Sequence, residues 1–371
     1  MKAGKLLGPF AAALLLANSA RAVEWRVIKQ NGRDYVSFKN VAEFYHFGEF
    51  SHSNRTISLR SERRGILAHA ETNEIRINGV RFYTLFPLEQ QNGENLISAA
   101  DVGKIVEPVL RPSRIKDASK VETVILDPGH GGTDIGTANR WGTEKAFALD
   151  VALIAREQLQ RAGFTVEMTR SNDTGISLEE RIEFANRFTN AVFISIHFNS
   201  GSGGQGVESY ALAPEGVPST QSGGHHVSTA DVQPDNGNAQ DGQNVALTAA
   251  VHASVLSRVS AHDRGVRHAR FKVLRHIKVP ALLLEAGFLN DPAEGQRIAT
   301  QQYRQQLGTA IAQGVQNYSA AVNYRSGNAA FTVAQMNLPA HSRSITEPLD
   351  AAPPPAQTAP EQPSISISAG K

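Results

Sequence analysis

The chain has 371 residues, of which 41% are hydrophobic and 19% are charged, so it can bury a sizeable core and is long enough for more than one domain. Its formal charge of +2 is nearly balanced. It gives no basic field of the kind that nucleic-acid binding needs, so nucleic acid is not an expected partner. The chain has no cysteine, so it forms no disulfide, and any metal site must be built from His, Asp and Glu.

The first residues have the three parts of a secretory signal peptide. Lys2 and Lys5 come before an apolar run over about residues 6–17, and an Ala-x-Ala cleavage site follows at residues 20–22. An uncleaved anchor is the alternative, but the run falls well short of the roughly 20 residues that a spanning helix needs. We therefore expect residues 1–22 to be removed and the mature chain to be exported to the periplasm, the cell envelope or the exterior. No later segment is long and apolar enough to span a membrane.

Residues 23–114 consist of short segments in which polar and apolar residues alternate. Asn-Gly turn pairs at residues 31–32 and 78–79 separate some of these segments, and one helix is predicted at "FKNVAEFYHF". The pattern predicts a small, mostly β, largely antiparallel domain. It loosely resembles the copper amine oxidase N-terminal-like domains found in front of cell-wall enzymes. None of its motifs indicates a chemistry.

Residues 119–320 alternate strands with amphipathic helices. The predicted elements are, in order, a strand from Val121 to Leu126, a helix from Glu144 to Arg161, the strand "FTVEMTR", a helix to about Phe188 opened by a capping box of Ser177 and Glu180, the strands "AVFISIHF" and "GVESYAL", a helix from about Gln243 to Val259, the strand "ALLLEAGF" and a helix from about Gln296 to Tyr318. This alternation predicts an α/β fold with a mainly parallel twisted sheet and helices on both faces. Residues 321–371 are rich in Ala, Pro and Ser, and we expect a disordered tail.

Polar side chains follow the apolar strands, where open α/β sheets bind their ligands. The residues concerned are Asp127, His130, His197, Asn199, Glu208 and Glu285, with Glu144 at the start of the first helix near the same rim. Two histidines and two glutamates that converge there are typical of a hydrolytic zinc site. In such a site imidazoles and one carboxylate bind the ion, and a second carboxylate handles the proton.

Each of these residues also has an ordinary structural explanation. His130 in "PGHGG" could be a turn histidine, Glu144 a first-turn acid favoured by the helix dipole, and His197 a core histidine at a strand end. Glu285 is harder to explain in this way, because an acid between "ALLL" and "AGF" should be desolvated unless it is paired or has a raised pKa. A phosphate-binding loop is disfavoured, because "GHGGTDIG" does not fit G-x-G-x-x-G and no Gly-Lys-Ser/Thr follows.

Six motifs stand in one order: "ILDPGHGG", "EKAFALDVA", "MTRSNDTGISLEERIEFAN", "FISIHFNS", "GVESYAL" and "LLLEAGFLND". In this order and context they resemble the zinc-dependent N-acetylmuramoyl-L-alanine amidases of the amidase-3 type, over about Val121 to Tyr318. The resemblance implies one zinc ion held by His130, Glu144 and His197, with Glu285 as the catalytic acid. It implies hydrolysis of the amide between N-acetylmuramic acid and L-alanine of the peptidoglycan stem peptide, for cell-wall remodelling or cell separation.

The resemblance leaves several positions open. Phe198 stands where the family usually has a small residue, and Asn190 where an Asp is common, but neither change removes a ligand. For Arg170 and Arg181, which stand where the family's motifs carry arginine, a structural ion-pair role is favoured over substrate contact. Asn199 is a third candidate for substrate binding.

A loop rich in Gly, Ser and Asn runs from Leu212 to Asp241. A loop of this length is usually functional or mobile, and in some amidases of this type an insert here covers the active site. Since its composition is poor for a blocking helix, we expect a flexible, substrate-contacting flap. The alternative is a closed state of this loop in which His225 or His226 supplies a fourth zinc ligand.

Three classes of function remain at this point. A peptidoglycan amidase, with peptidoglycan as partner and an activator or divisome protein as an open question, is favoured by the ordered motifs. Another zinc hydrolase such as a carboxypeptidase would need a residue that receives a free terminal carboxylate. A non-catalytic wall-binding protein would require a lost ligand, and none is lost.

Overall fold

The computed structural model describes residues 24–201, 204–217, 219–220 and 233–323. The predicted signal peptide, the tail from residue 324 onwards, and His225 and His226 of the predicted flap lie outside these ranges. Among the described residues, no helix has the length and apolar character needed to cross a membrane.

The N-terminal part is built mainly of β-hairpins. Its elements are β1 (Ile28–Gln30), β2 (Arg33–Ser37), α1 (Phe38–Phe44), β3 (Glu49–Ser53), β4 (Thr56–Arg60), β5 (Gly65–His69), β6 (Glu74–Ile77), β7 (Val80–Tyr83), β8 (Glu89–Gln91), β9 (Glu94–Ser98), α2 (Ala99–Asp101), a π-helical turn (Val102–Val106) and α3 (Glu107–Leu110). Both predicted Asn-Gly pairs form hairpin turns in which the two central residues have positive φ, for example 52° at Asn78 and 86° at Gly79. Asn and Gly tolerate this conformation best, which explains why the chain reverses there.

The second part alternates strands and helices as predicted. Its elements are β10 (Thr123–Pro128), β11 (Ala138–Asn139), β12 (Gly142–Thr143), α4 (Glu144–Arg161), β13 (Thr165–Met168), α5 (Leu178–Ala185), β14 (Ala191–Asn199), β15 (Val207–Leu212), α6 (Asp241–Arg258), β16 (Asp263–Ala269), α7 (Lys272–Arg275), β17 (Ala281–Phe288), α8 (Pro292–Ile298) and α9 (Gln301–Asn323). The capping box of Ser177 and Glu180 is present at the start of α5. The structure differs from the sequence prediction in that β11, β12, β16 and α7 were not predicted, α5 ends earlier than expected and the last predicted helix is two helices.

The central sheet has the order β13-β10-β14-β17-β15-β16-β7-β6-β5-β4-β3. From β13 to β17 all neighbours are parallel, β15 runs antiparallel to β17, and β16 is parallel to both β15 and β7. The prediction of a mainly parallel sheet after a mostly β segment is confirmed. The strands from residues 23–114 do not form a sheet apart, however. Five of them, β3 to β7, extend the same sheet, and β1, β2, β8 and β9 form a second one.

Helices cover both faces of the parallel strands. Leu282 and Leu284 of β17 pack in a cluster with residues of α4, α6 and α9. Leu283, between them, points to the other face and packs with residues of α5 and α7. A strand buried on both faces needs a continuous apolar sequence, and "ALLL" meets this requirement.

Candidate metal and catalytic site

His130 lies in the tight turn after β10. Its φ is 58°, and the next two residues, Gly131 and Gly132, have φ of 135° and 60°. A non-glycine residue in the left-handed region costs conformational energy, so other contacts must hold the turn in place. Two arginines make these contacts.

Arg170 and Arg181 are each 4% exposed and bind backbone carbonyls of this turn. Arg170 donates to the carbonyls of Pro128 at 3.0 Å and Gly129 at 2.7 Å. Arg181 donates to the carbonyl of His130 at 2.8 Å. These contacts fix the turn that carries His130, and they leave little of either guanidinium for a substrate.

Asp127 is the counter-ion of this arrangement. Its side chain is fully buried and accepts hydrogen bonds from Arg181, from Thr169 Oγ1 at 2.7 Å and from Ser195 Oγ at 2.8 Å. A buried carboxylate is tolerated when it is paired and hydrogen-bonded in this way. The ion pair therefore ties β10 to β14 and α5 just below the site.

The three predicted metal ligands converge. His130 Nε2 and His197 Nδ1 each lie 3.0 Å from the same atom, Oε1 of Glu144, and the three candidate ligand atoms lie within 4.8 Å of one another. Zinc bonds of about 2.0–2.2 Å in a tetrahedral site place ligand atoms about 3.3 Å apart. Small shifts of these side chains are thus enough to surround one cation.

Glycines make the space around this cluster. A Cβ on Gly136 would lie 2.6 Å from both Glu144 Oε2 and His130 Cδ2, and a Cβ on Gly129 would lie 2.4 Å from His197 Cε1. Any larger residue at either position would displace a ligand. Gly129 and Gly136 therefore keep the space around this cluster open.

Glu144 is the centre of the cluster. It begins α4 and is 3% exposed. Its side chain also accepts from the backbone N–H groups of Thr137 at 2.9 Å and Phe198 at 3.0 Å. Burial raises the pKa of Glu144, but the hydrogen bonds and charges of the two histidines outweigh burial and hold the pKa well below its usual range. Glu144 is therefore ionised, as a metal ligand must be.

His130 has a second carboxylate partner, since its Nδ1 lies 2.8 Å from Asp134 Oδ2. Burial lowers the pKa of His130, whereas the hydrogen bonds to Glu144 and Asp134 raise it by more, so the pKa lies above its usual value. A carboxylate behind a histidine fixes the ring tautomer and leaves the other nitrogen free for a metal. Asp134 lies in the motif "ILDPGHGGTDIGT", but its role was not predicted from the sequence.

Glu285 lies directly opposite His197 on the neighbouring strand β17, so both side chains are on one face of the sheet. Its Oε2 is buried and has no hydrogen-bond partner among the described residues. Burial raises the pKa of Glu285 well above its usual range, and the charges of Glu144 and Glu208 raise it further. This carboxyl therefore holds a proton more readily than an ordinary glutamate does, which is typical of a general acid-base.

Asn199 lies two residues after His197 and binds Glu208. Its Nδ2 donates to Glu208 Oε1 at 2.7 Å, and Tyr210 donates to the same oxygen at 2.9 Å. Arg264 and Arg267 on β16 approach the other oxygen of Glu208, with Nε atoms at 3.0 and 3.4 Å. Glu208 was predicted to lie at this rim without a role, and neither arginine was predicted, because the strand β16 that carries them was not predicted.

Phe198, the unusual residue between His197 and Asn199, points away from the site. It is 1% exposed and packs against Phe147 of α4, with ring centroids 6.4 Å apart. Alternation along β14 places His197 and Asn199 on one face and Phe198 in the core on the other. The large side chain therefore leaves the ligand set intact.

Two imidazoles and one carboxylate leave room for one cation at the edge of this α/β sheet. A second carboxyl group with a raised pKa lies one strand away. This arrangement is typical of a hydrolase with a metal centre. The family model described as "N-acetylmuramoyl-L-alanine amidase" matches residues 124–317, more than half of the chain. The chain therefore belongs to the N-acetylmuramoyl-L-alanine amidase family.

Several known proteins are similar to this chain. A sporulation-specific N-acetylmuramoyl-L-alanine amidase of Bacillus subtilis is 32% identical over 195 residues, which cover 52% of this chain and 66% of the relative. The probable cell wall amidase LytH of Staphylococcus aureus is 31% identical over 290 residues, covering 71% of this chain and 88% of the relative. A crystal structure of an N-acetylmuramoyl-L-alanine amidase from Clostridium difficile 630 is 33% identical and covers 54% of this chain and 97% of that chain, with a TM-score of 0.44. This chain thus spans just under two thirds of the length of the Bacillus relative.

Proposed function

We propose that this protein is a zinc-dependent hydrolase that cleaves the amide bond between N-acetylmuramic acid and L-alanine in peptidoglycan, outside the cytoplasm. The observation that carries the proposal is the convergence of His130, Glu144 and His197, with Glu285 opposite His197 on the next strand. Membership of the amidase family supplies the substrate class.

The donor set fits zinc. Two imidazoles and one carboxylate are a common ligand set of catalytic zinc sites, which keep a fourth position open. The glycines at 129 and 136 and the unpaired Glu285 Oε2 are consistent with a space meant for a cation and a water. Zinc bound there supplies Lewis acidity and lowers the pKa of a water to about 7.

Glu285 handles the protons in this proposal. As a carboxylate it removes a proton from the attacking water, and as a carboxylic acid it donates that proton to the nitrogen of the leaving L-alanine. The buried site raises the pKa of Glu285 and so favours the protonated state that the second step needs. Asp134 keeps His130 in the tautomer that binds metal, and Arg170 and Arg181 hold the turn that carries it.

Export to the periplasm, the cell envelope or the exterior is part of the proposal. Peptidoglycan lies outside the cytoplasm, and the N-terminal segment has the composition of a signal peptide. Four further points stay predictions from the sequence. They are an activating protein partner, a flap at residues 212–241, a domain division into residues 23–114 and 119–320, and substrate contact by Asn199.

The test is digestion of purified peptidoglycan with the zinc-loaded protein, with and without a chelator, followed by mass spectrometry of the fragments. An amidase releases whole stem peptides and leaves intact sugar strands, whereas a carboxypeptidase releases single terminal amino acids. The single variants His130→Ala, Glu144→Ala and His197→Ala should each lose zinc and activity together. His52→Ala, on the exposed strand β3, is the matched control. Stoichiometric zinc with near-normal hydrolysis in any ligand variant would exclude that residue as a ligand.

A further inference from the structure

A β-bulge brings a second arginine to the catalytic face of the sheet. Val207 pairs with Asp263, but the next residue, Glu208, pairs with Gly265, so Arg264 is an extra residue in β16. Gly265 has a φ of 91°, which an L side chain rarely adopts. In a regular strand Arg264 and Arg267 would point to opposite faces, whereas the bulge lets both reach Oε2 of Glu208. Bulges next to active sites commonly re-aim a side chain in this way.

Glu208 can neutralise only one of the two arginine charges, and it accepts hydrogen bonds from only a few of their N–H groups. Each guanidinium has five N–H donors. Among the described residues, Arg264 donates only from Nε to Glu208, and Arg267 donates only from Nη2 to Tyr83 Oη at 3.0 Å. Their side chains are 19% and 12% exposed, so solvent reaches them. Two cations beside one carboxylate leave a net positive charge with free planar donors, the arrangement that recognises a carboxylate.

Aromatic rings hold both guanidinium groups in place. The guanidinium carbon of Arg264 lies 4.7 Å from the ring centroid of Phe288, and that of Arg267 lies 4.0 Å from the ring centroid of Tyr83. Tyr83 belongs to β7, the N-terminal strand that pairs with β16. The N-terminal segment therefore forms part of the wall of this positive patch.

The distance from the catalytic residues sets which part of a substrate reaches the patch. His197, Glu285, Glu208 and Gly265 are successive partners across four neighbouring strands. Neighbouring strands lie about 4.8 Å apart, so Gly265 stands about 10 Å from Glu285. A peptide covers about 3.5 Å per residue, so this span corresponds to two or three residues from the cleaved bond.

We propose that Arg264 and Arg267 form a subsite for a free carboxylate at the second or third residue of the stem peptide, and so make the enzyme prefer anionic stem peptides over amidated ones. The inference rests on the proposed function, since it assigns a substrate preference to the same site. It concerns residues on β16, which lie apart from the metal ligands and the general acid-base.

The test compares three stem-peptide substrates attached to N-acetylmuramic acid: one with free carboxylates, one amidated at the second residue and one amidated at the third. We expect Arg264→Gln and Arg267→Gln to raise KM for the free-carboxylate substrate about 10- to 100-fold, with kcat within about twofold of wild type. The amidated substrate that lacks the recognised carboxylate should show little change in KM. Arg161→Gln removes the same charge from an exposed ion pair on α4 and should behave as wild type.

A binding measurement keeps the inference independent of catalysis. Titration calorimetry of the metal-free protein with the free stem tripeptide should show binding that either variant weakens and that the amidated tripeptide lacks. Equal KM values for free and amidated substrates, unchanged in both variants, would overturn the subsite but leave the amidase proposal standing. A fall in kcat on all three substrates would show instead that the arginines only position Glu208. If the wild-type protein cleaves none of them, the proposed function fails, and calorimetry alone then decides whether the carboxylate subsite exists.

Discussion

Gly129→Ala is the sharpest probe of the site, because it keeps all three proposed metal ligands. A Cβ at this position would lie 2.4 Å from Cε1, 2.6 Å from Nδ1 and 2.7 Å from Nε2 of His197. Ordinary carbon contacts are about 3.5–4.0 Å, so the imidazole must move by about 1 Å. Gly129 itself does not have a positive φ, so alanine brings no backbone strain.

Gly129→Ala should lower zinc affinity strongly and change the stability of the fold only slightly. The imidazole is the end of a side chain and can swing aside, so we expect a cost in stability of about 1 kcal/mol or less, or roughly 2–4 °C in Tm. Zinc–ligand bonds tolerate about 0.2 Å. A shift of His197 by about 1 Å should therefore lower zinc affinity at least about 100-fold, approaching the loss of a ligand.

The assay is competition for zinc against a chromophoric chelator, together with thermal unfolding of the metal-free protein. Gly48→Ala is the matched control, because a Cβ there meets no atom within 4 Å and Gly48 has no positive φ. If Gly129→Ala binds one zinc ion with wild-type affinity, His197 does not ligate the metal from the position described.

The other predictions concern the proton, the turn and the N-terminal segment. Glu285→Gln keeps the shape and the metal ligands, so the rate should fall about 10²- to 10⁴-fold with zinc retained; loss of zinc would mean that Glu285 is a ligand. Arg181→Met leaves the fully buried Asp127 without its cation and should lower the free energy of unfolding by about 3–5 kcal/mol in urea titrations; wild-type stability would contradict the pairing. Burial raises the pKa of Asp101 to about 7, although hydrogen bonds from Ser98 and two backbone N–H groups lower it. Because this pKa lies above the unfolded value of about 3.9, the contribution of Asp101 to stability is complete below pH 4 and is lost as the pH rises through 7. Urea unfolding at pH 5 and 8 should show a larger decline in the wild type than in Asp101→Asn, and equal declines would refute it.

Local signals in the sequence predicted the elements that carry the site. The helix from Glu144 to Arg161 has its predicted bounds, since its apolar spacing and the glycine after it are both local. The capping box of Ser177 and Glu180 correctly predicted the start of α5. That helix ends at Ala185, earlier than expected.

The pairing between strands that are distant in the sequence could not be predicted from local sequence patterns. The strand "DRGVRHA" has charged residues on both faces because a bulge and a buried carboxylate accommodate them, so no apolar pattern indicates it. The break between α8 and α9 was missed because apolar spacing continues across it. The antiparallel direction of β15 depends on which strand it joins, and its own residues carry no such information.

The hydrogen bond from Arg81 N–H to Asp263 joins residues that are 182 positions apart, at the seam where β7 meets β16. A chain that emerges from its amino end first exposes the outer edge of β7 long before its partner strand is made. Unpaired strand edges recruit other chains, so newly made molecules are exposed to aggregation at this seam. A fragment that lacks the N-terminal segment has the same problem on the other side of the seam. A fragment that begins at residue 119 exposes the edge of β16 and part of an apolar cluster that includes Val266. Recombinant work on the hydrolase should therefore keep residues 24–114 attached.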